Sequence, residues 1–187
     1  MGSLSVVAVP VYFDLRESAR QASHVAAMSA LAVAARQAKA IWMVRGTGGA
    51  QLNLPGYGDG TLDYNSVGLP VGTSIASTAG IDGVLPDAHC RELLNALVPG
   101  LRVYAHGDSL STTKGYDYYV HSGAGTVAWC TLHALDANGN LQVTPGGWFR
   151  HAWIMLGAAS TWPRGTVGVW YANAADSAYT GYAIGEP

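Results

Sequence analysis

Between Ala19 and Ala40 nearly every second residue is alanine, inside a stretch from Val6 to Arg45 that reads VVAVPVYFDLRESARQASHVAAMSALAVAARQAKAIWMVR. Alanine gives up no side-chain entropy in a helix and is the best helix former, so one long helix is the fold this stretch dictates. Met28, Leu31, Ala35, Ala38 and Trp42 recur at three- and four-residue steps, which places them on one side of it. Ala22, Val25, Ser29 and Ala32 lie beside that stripe and are equally free of charge. Arg16, Arg20, Arg36, Lys39 and Arg45 supply most of the charge, and Gly46, Gly48 and Gly49 stop the element. Unbroken over residues 4–45, the helix would be roughly 60 Å long at about 1.5 Å per residue. That exceeds the width of the domain the remaining residues can build, so part of it is expected to project.

The apolar beginning needs a separate account. Leu4, Val6, Val7, Ala8, Val9, Val11, Tyr12, Phe13 and Leu15 form an almost uncharged run, too short for a membrane span of about 20 apolar residues, and it reads as the end of something longer. Met1-Gly2-Ser3 reads as the remnant of an expression tag, so native residues ahead of Leu4 are expected to have been removed. Pro10 inside the helical pattern would remove a hydrogen bond and bend the axis. Asp14 followed by Glu17 offers an N-cap with a capping box, a competing start for the ordered helix.

LSVVAVPVYFDLRESARQ resembles the second half of the N-terminal segment of type IV pilins and type II secretion pseudopilins, where an apolar run is followed by an aromatic, an acidic residue and a polar or basic helix. Pro10, Tyr12 and Asp14 match that pattern. Ile41-Trp42, Gly46, Leu62-Asp63-Tyr64-Asn65, Gly68-Leu69-Pro70-Val71-Gly72 and Cys90 with Leu93, Leu94 and Leu97 resemble pilin-like proteins of the mannose-sensitive haemagglutinin type. The prepilin-peptidase site, the methylated first residue and the N-terminal glutamate of those families have no counterpart here. The resemblance covers residues 4 to about 100. It implies an α+β fold of the type IV pilin kind, a long N-terminal helix packed on an antiparallel β-sheet, in one domain spanning 4–187.

The rest of the chain is compatible with that expectation. With 187 residues and 49% hydrophobic content, one core can form without a second domain. Only 12% of residues are charged, about half the usual fraction, and no basic patch points to nucleic acid. Residues 46–100 read as a glycine-rich loop, punctuated by Gly46, Pro55-Gly56, Gly58-Asp59-Gly60 and Gly68, with a short strand at Thr61 to Asn65. In pilins this region is a variable subunit-contact surface. A short helix follows, capped by Asp87, apolar along Cys90, Leu93, Leu94 and Leu97, and ended by Pro99-Gly100. From residue 101 the period becomes two. Strands are expected at Leu101–Ala105, Tyr116–His121, Thr126–Leu135, Trp148–Leu156 and Thr166–Ala172, with Leu141–Thr144 returning as a hairpin around Asn138-Gly139 and a tail beyond. One face of this sheet must be covered, and the alanine-rich stripe is the surface on offer.

Cys90 and Cys130 are the two cysteines. Bridged, they would close a loop worth about 4 kcal/mol in the chain-entropy model; the alternative is two buried thiols. Pilins commonly carry one such pair. His24, His89, His106, His121, His133 and His151 lack ligand spacing such as His-x-x-x-His, and no cofactor is expected. His121 and His133 are placed to face one another across strands. Asp136, Asn138 and Asn140 alternate like half a calcium loop but fit the Asn-Gly turn better, and Asp59 with Asp63 is a second weak calcium candidate. Tyr116, Tyr118, Tyr119, Trp129, Trp148, Trp153, Trp162 and Trp170 either fill the sheet or stack on a ligand.

The expectation for function is therefore a structural subunit, a pilin or minor pilin, whose partners are other subunits of the filament. A missing N-terminal segment would anchor it in the inner membrane before assembly at the cell surface, and adhesion, motility or DNA uptake would be the filament's role. No catalysis is expected, because no nucleophile elbow, phosphate loop or dinucleotide fingerprint is present. The alternative is a filament-borne adhesin domain that binds carbohydrate or peptide through an exposed aromatic patch.

Overall fold

The computed structural model describes residues 4–58, 60–83, 85–107, 113–123, 129–143, 151–155, 167–172 and 179–184, and within these the side chains of all but residues 4–14, Glu17, Trp153, Met155, 167–172 and 179–184. The elements run α1 (Leu4–Arg45), β1 (Asp63–Tyr64), β2 (Pro70–Gly72), α2 (Asp87–Leu97), β3 (Val103–Ala105), β4 (Tyr118–Ser122), β5 (Trp129–Ala134), β6 (His151–Met155), β7 (Val167–Ala172) and β8 (Tyr179–Ile184). This is an α+β arrangement with a two-stranded sheet, β1-β2, and a six-stranded sheet in the order β3-β4-β5-β6-β7-β8.

Helix α1 is continuous for 42 residues, about 63 Å at 1.5 Å per residue. It passes through Pro10 and does not start at Asp14: a proline removes a single backbone hydrogen bond, and the alanine-rich turns that follow outweigh that cost. Among the described side chains the first buried on the helix is His24, whereas Leu15 is 65% exposed. The stripe of Met28, Leu31, Ala35 and Ala38 is buried, and Ala32 and Ala34 join it. Trp42, grouped with that stripe by spacing, has a different neighbour. Its indole lies on Gly68 of the loop, where a Cβ would collide with the ring, and its Nε1 donates to the Gly49 carbonyl at 3.1 Å. The helix stops where the Gly46 N–H donates to the Trp42 carbonyl at 2.7 Å.

Both helices cover one face of the large sheet, α1 against β7 and α2 against β3 and β4, while also touching each other. Cys90, Leu93, Leu94 and Leu97 of α2 meet Val120, Cys130, Leu132 and Ile154 of the sheet in the same core as the α1 stripe. The Cys90–Cys130 disulfide crosses between the two layers with Cα atoms 5.7 Å apart. Asp87 does not cap α2. Pro86 holds the N-cap position, and the Asp87 carboxylate, one residue inside the helix, accepts from the Ser122 N–H of β4.

The sheet departs from an all-antiparallel design at one pair, β3 with β4, which run parallel. A polar clamp at their starts accounts for this. The Asp117 carboxylate accepts from the Arg102 N–H at 3.0 Å and from its guanidinium at 3.1 and 2.6 Å, and the Asp117 N–H donates to the Arg102 carbonyl at 2.8 Å. Burial pulls the Asp117 carboxyl up, but these bonds outweigh it and hold the group below the usual carboxylate range. The turn at Asn138-Gly139 closes as its sequence demands, and the Gln142 N–H donates to the Ala134 carbonyl at 2.8 Å. Yet the described part of the return, 141–143, forms isolated bridges such as Leu135 with Leu141 and no strand, because β6 occupies the edge of β5 from Trp129 to His133. Strand β8, expected as tail, pairs antiparallel with β7. In the loop, Thr61 to Asn65 contracts to β1, which pairs with β2.

Two variants check this packing. The double variant Cys90→Ser/Cys130→Ser should lose about 4 kcal/mol in denaturant titration, and reductant should shift the wild-type midpoint equally; unchanged midpoints would contradict a stabilising bridge. Gly68→Ala adds a Cβ against Trp42 at a residue with φ of 78°, so a thermal melt should show a loss of about 2 kcal/mol or more.

Candidate functional site

In a strand, successive side chains alternate between faces. Val103, Ala105, Tyr118, Val120, Cys130, Leu132, Ala134, Ala152 and Ile154 point into the core. Tyr104, Tyr119, His121, Trp129, Thr131, His133 and His151 occupy the alternate positions and so line the opposite face, away from both helices. Register then sets a row of rings straight across four strands: Tyr104 opposite Tyr119, Tyr119 opposite His133, and His133 opposite His151. Ring centroids along it are 6.0, 6.0 and 5.6 Å apart. His121 sits diagonal to the row and stacks on His133 at 5.4 Å with an interplanar angle of 17°. Tyr116 packs edge-on to Tyr104, and His106 Nδ1 lies 2.8 Å from the Tyr119 hydroxyl.

The histidines form the chemically distinctive part. His121 Nε2 and His133 Nε2 are 3.3 Å apart, and His121 Nδ1 is 3.2 Å from the Ser122 carbonyl oxygen. A depression of about 480 Å³ opens over His121, His133, His151, Thr131 and Trp129. The Trp129 indole is laid over Gly123, where no side chain would fit. Burial, followed by the neighbouring His121 and His151, pushes the His133 imidazole down to about 4. Burial, then Asp87 and Tyr104, raises the Tyr119 phenol. Among the described residues no three His, Cys, Asp or Glu side chains already surround a common point.

A second depression, about 320 Å³, lies where α1 meets the sheet and is lined by Arg20, His24, Asp117, Tyr118 and Gln142. Here the 2%-exposed His24 places Nδ1 3.0 Å from the Tyr118 hydroxyl, which fastens the first buried turn of α1 to β4.

Other candidates resolve into structural roles. Asp63 is fully buried and accepts from the Asn53 and Ile75 N–H groups, each at 2.9 Å, so its carboxylate holds the loop together; Asp59 lies outside the described residues. Asp136 accepts from the Asn138 and Asn140 N–H groups at 2.8 and 2.9 Å, an Asx turn whose backbone bonds, that from Asn140 foremost, lower its carboxyl. Pro10, Tyr12 and Asp14 lie on α1, with side chains outside the description, and Trp148 and Trp162 lie outside it altogether. Sequence spacing anticipated His121 near His133, but not the ring row. Its signal is the shared parity of Tyr119, His121, Trp129, Thr131 and His133, which becomes informative only once register is known.

A pH dependence follows for His133. Its folded value of about 4 lies below the ordinary 6.5, so the unfolded chain takes up the proton first. The stabilisation is complete above about 6.5 and is lost as pH falls toward 4. For a half-buried ring this amounts to about 1–2 kcal/mol after solvent screening. Urea melts of His133→Gln should show a flatter decline over that window than the wild type, with His121, His151 and Tyr119 as the titratable neighbours left in place. Comparison of the chain with protein-family models, with curated proteins and with solved structures finds no match.

Proposed function

We propose that the chain is a structural subunit of a type IV pilus or related filament, a pilin or minor pilin with the fold of that family. The observation that supports this reading most is the disproportion of α1. The helix has 42 residues, about 63 Å at about 1.5 Å per residue, and its first buried side chain among those described is His24, with Leu15, Arg16, Ser18 and Ala19 of its leading half exposed. In a filament that leading half packs against the same half of neighbouring subunits, while the sheet with its ring row faces outward. Pro10, Tyr12 and Asp14 fall on that leading half. Among the described residues no helix is long and apolar enough to cross a membrane. The role is assembly, not catalysis.

The ring row favours a second reading, an adhesin domain carried on such a filament. Half-buried tyrosines, a tryptophan and histidines on the uncovered face suit the stacking of sugar rings.

Expression of the full native gene in its own host separates these readings from others. Sheared surface fibres should contain the chain, and its recovery from the cytosol alone would end the filament reading. Glycan-array binding that Tyr119→Ala abolishes, with fibres still assembled, would favour the adhesin.

A further inference from the structure

We propose that the uncovered face of the sheet holds a transition-metal site, in which His121 and His133 give their Nε2 atoms to a Zn²⁺ ion. The inference stands on the sheet geometry and is independent of the filament reading.

Zinc in a tetrahedral site binds histidine nitrogens at about 2.0–2.1 Å, which sets two ligand nitrogens about 3.3–3.4 Å apart. His121 Nε2 and His133 Nε2 stand 3.3 Å apart. That is long for a hydrogen bond from a ring N–H, whose usual length is about 2.9–3.0 Å. The Ser122 carbonyl fixes the tautomer. An oxygen with no proton, 3.2 Å from His121 Nδ1, can only accept from it, so Nδ1 carries the hydrogen and Nε2 keeps its lone pair. A carbonyl behind the ring is the usual support of a metal-bound histidine.

His151 is the third ligand. It faces His133 in register on β6, with ring centroids 5.6 Å apart, and lines the same depression of about 480 Å³ that opens to solvent. The three imidazoles do not yet surround one point, so His121 and His133 are the preset pair. His151 completes the site by side-chain rotation, and water takes the remaining position. The ligands stand on three adjacent strands, and the middle one, β5, is fastened from below by Cys130 in its bridge to α2. Such rigid support limits the ordering cost of binding.

Calorimetric titration of the full, oxidised, tag-free chain with Zn²⁺ tests the site. One ion per chain is expected. His121→Ala and His133→Ala should each weaken binding at least tenfold, His151→Ala by less, and His106→Ala, on the same face but outside the depression, should leave it unchanged. A second readout avoids dependence on the folding of the variants: in the wild-type chain, Zn²⁺ should shift the imidazole ¹⁵N resonances of His121 and His133. Absence of a titration heat up to millimolar Zn²⁺, zinc affinity retained in His121→Ala/His133→Ala, or unmoved imidazole resonances would each overturn the site.

Discussion

The structure depends on the burial of one narrow stripe of α1 against the rest of the chain. Helix propensity alone leaves an isolated helix marginal in water, and among the described side chains α1 buries His24, Met28, Leu31, Ala35 and Ala38 most completely, all at 2% exposure or less. Four of these five carry no polar side-chain atom. The fifth, His24, is held by the Tyr118 hydroxyl. Alanine at Ala35 and Ala38 lets other chain segments approach the helix backbone closely, and the larger Met28 and Leu31 fill the volume between. Trp42 then closes the end of the stripe over the loop at Gly68, so the glycine-rich segment is packed as part of the core's rim.

Under that stripe the two helices and the sheet make two layers, with α2 joined covalently to β5. The division of labour between sheet faces follows from strand alternation. One face is aliphatic, carrying Val103, Val120, Leu132 and Ile154 along with the Cys130 bridge; the other carries Tyr104, Tyr119, His121, His133 and His151. Burial first, and then the neighbouring rings of His121 and His151 at 5.4 and 5.6 Å, disfavour a charge on His133, so its imidazole stays neutral well into acid.

The elements readable in the sequence were those set by local patterns. The alanine content and three-four spacing of Met28 to Ala38 define the buried side of α1, the apolar side of α2 is written in Cys90, Leu93, Leu94 and Leu97, and the pair of cysteines permits a single bridge. Features that depend on distant partners were not readable. The parallel pairing of β3 with β4 rests on the clamp of Arg102 by Asp117, and no local period encodes which strand edge a segment will meet. The Asn138-Gly139 turn formed, but β6 holds the edge of β5 from Trp129 to His133 and leaves the described return, 141–143, with isolated bridges, a competition between edges that turn chemistry cannot see. Asp87 has the chemistry of a cap, yet Pro86 takes that position and leaves the carboxylate to β4. The ring row required the register of three strand pairs at once.

The disulfide also governs how the chain bears load. Its cysteines are 40 positions apart, so under tension from the two ends the loop containing β3, β4 and most of α2 is short-circuited. About 130–145 Å of contour, at about 3.3–3.6 Å per residue, is withheld from extension while the bridge is intact. Helix α1 lies outside that loop and is attached by packing and by the His24–Tyr118 hydrogen bond, with no covalent bridge of its own. A pull along its axis therefore strips the rod from the sheet first and leaves the crosslinked half of the fold wound.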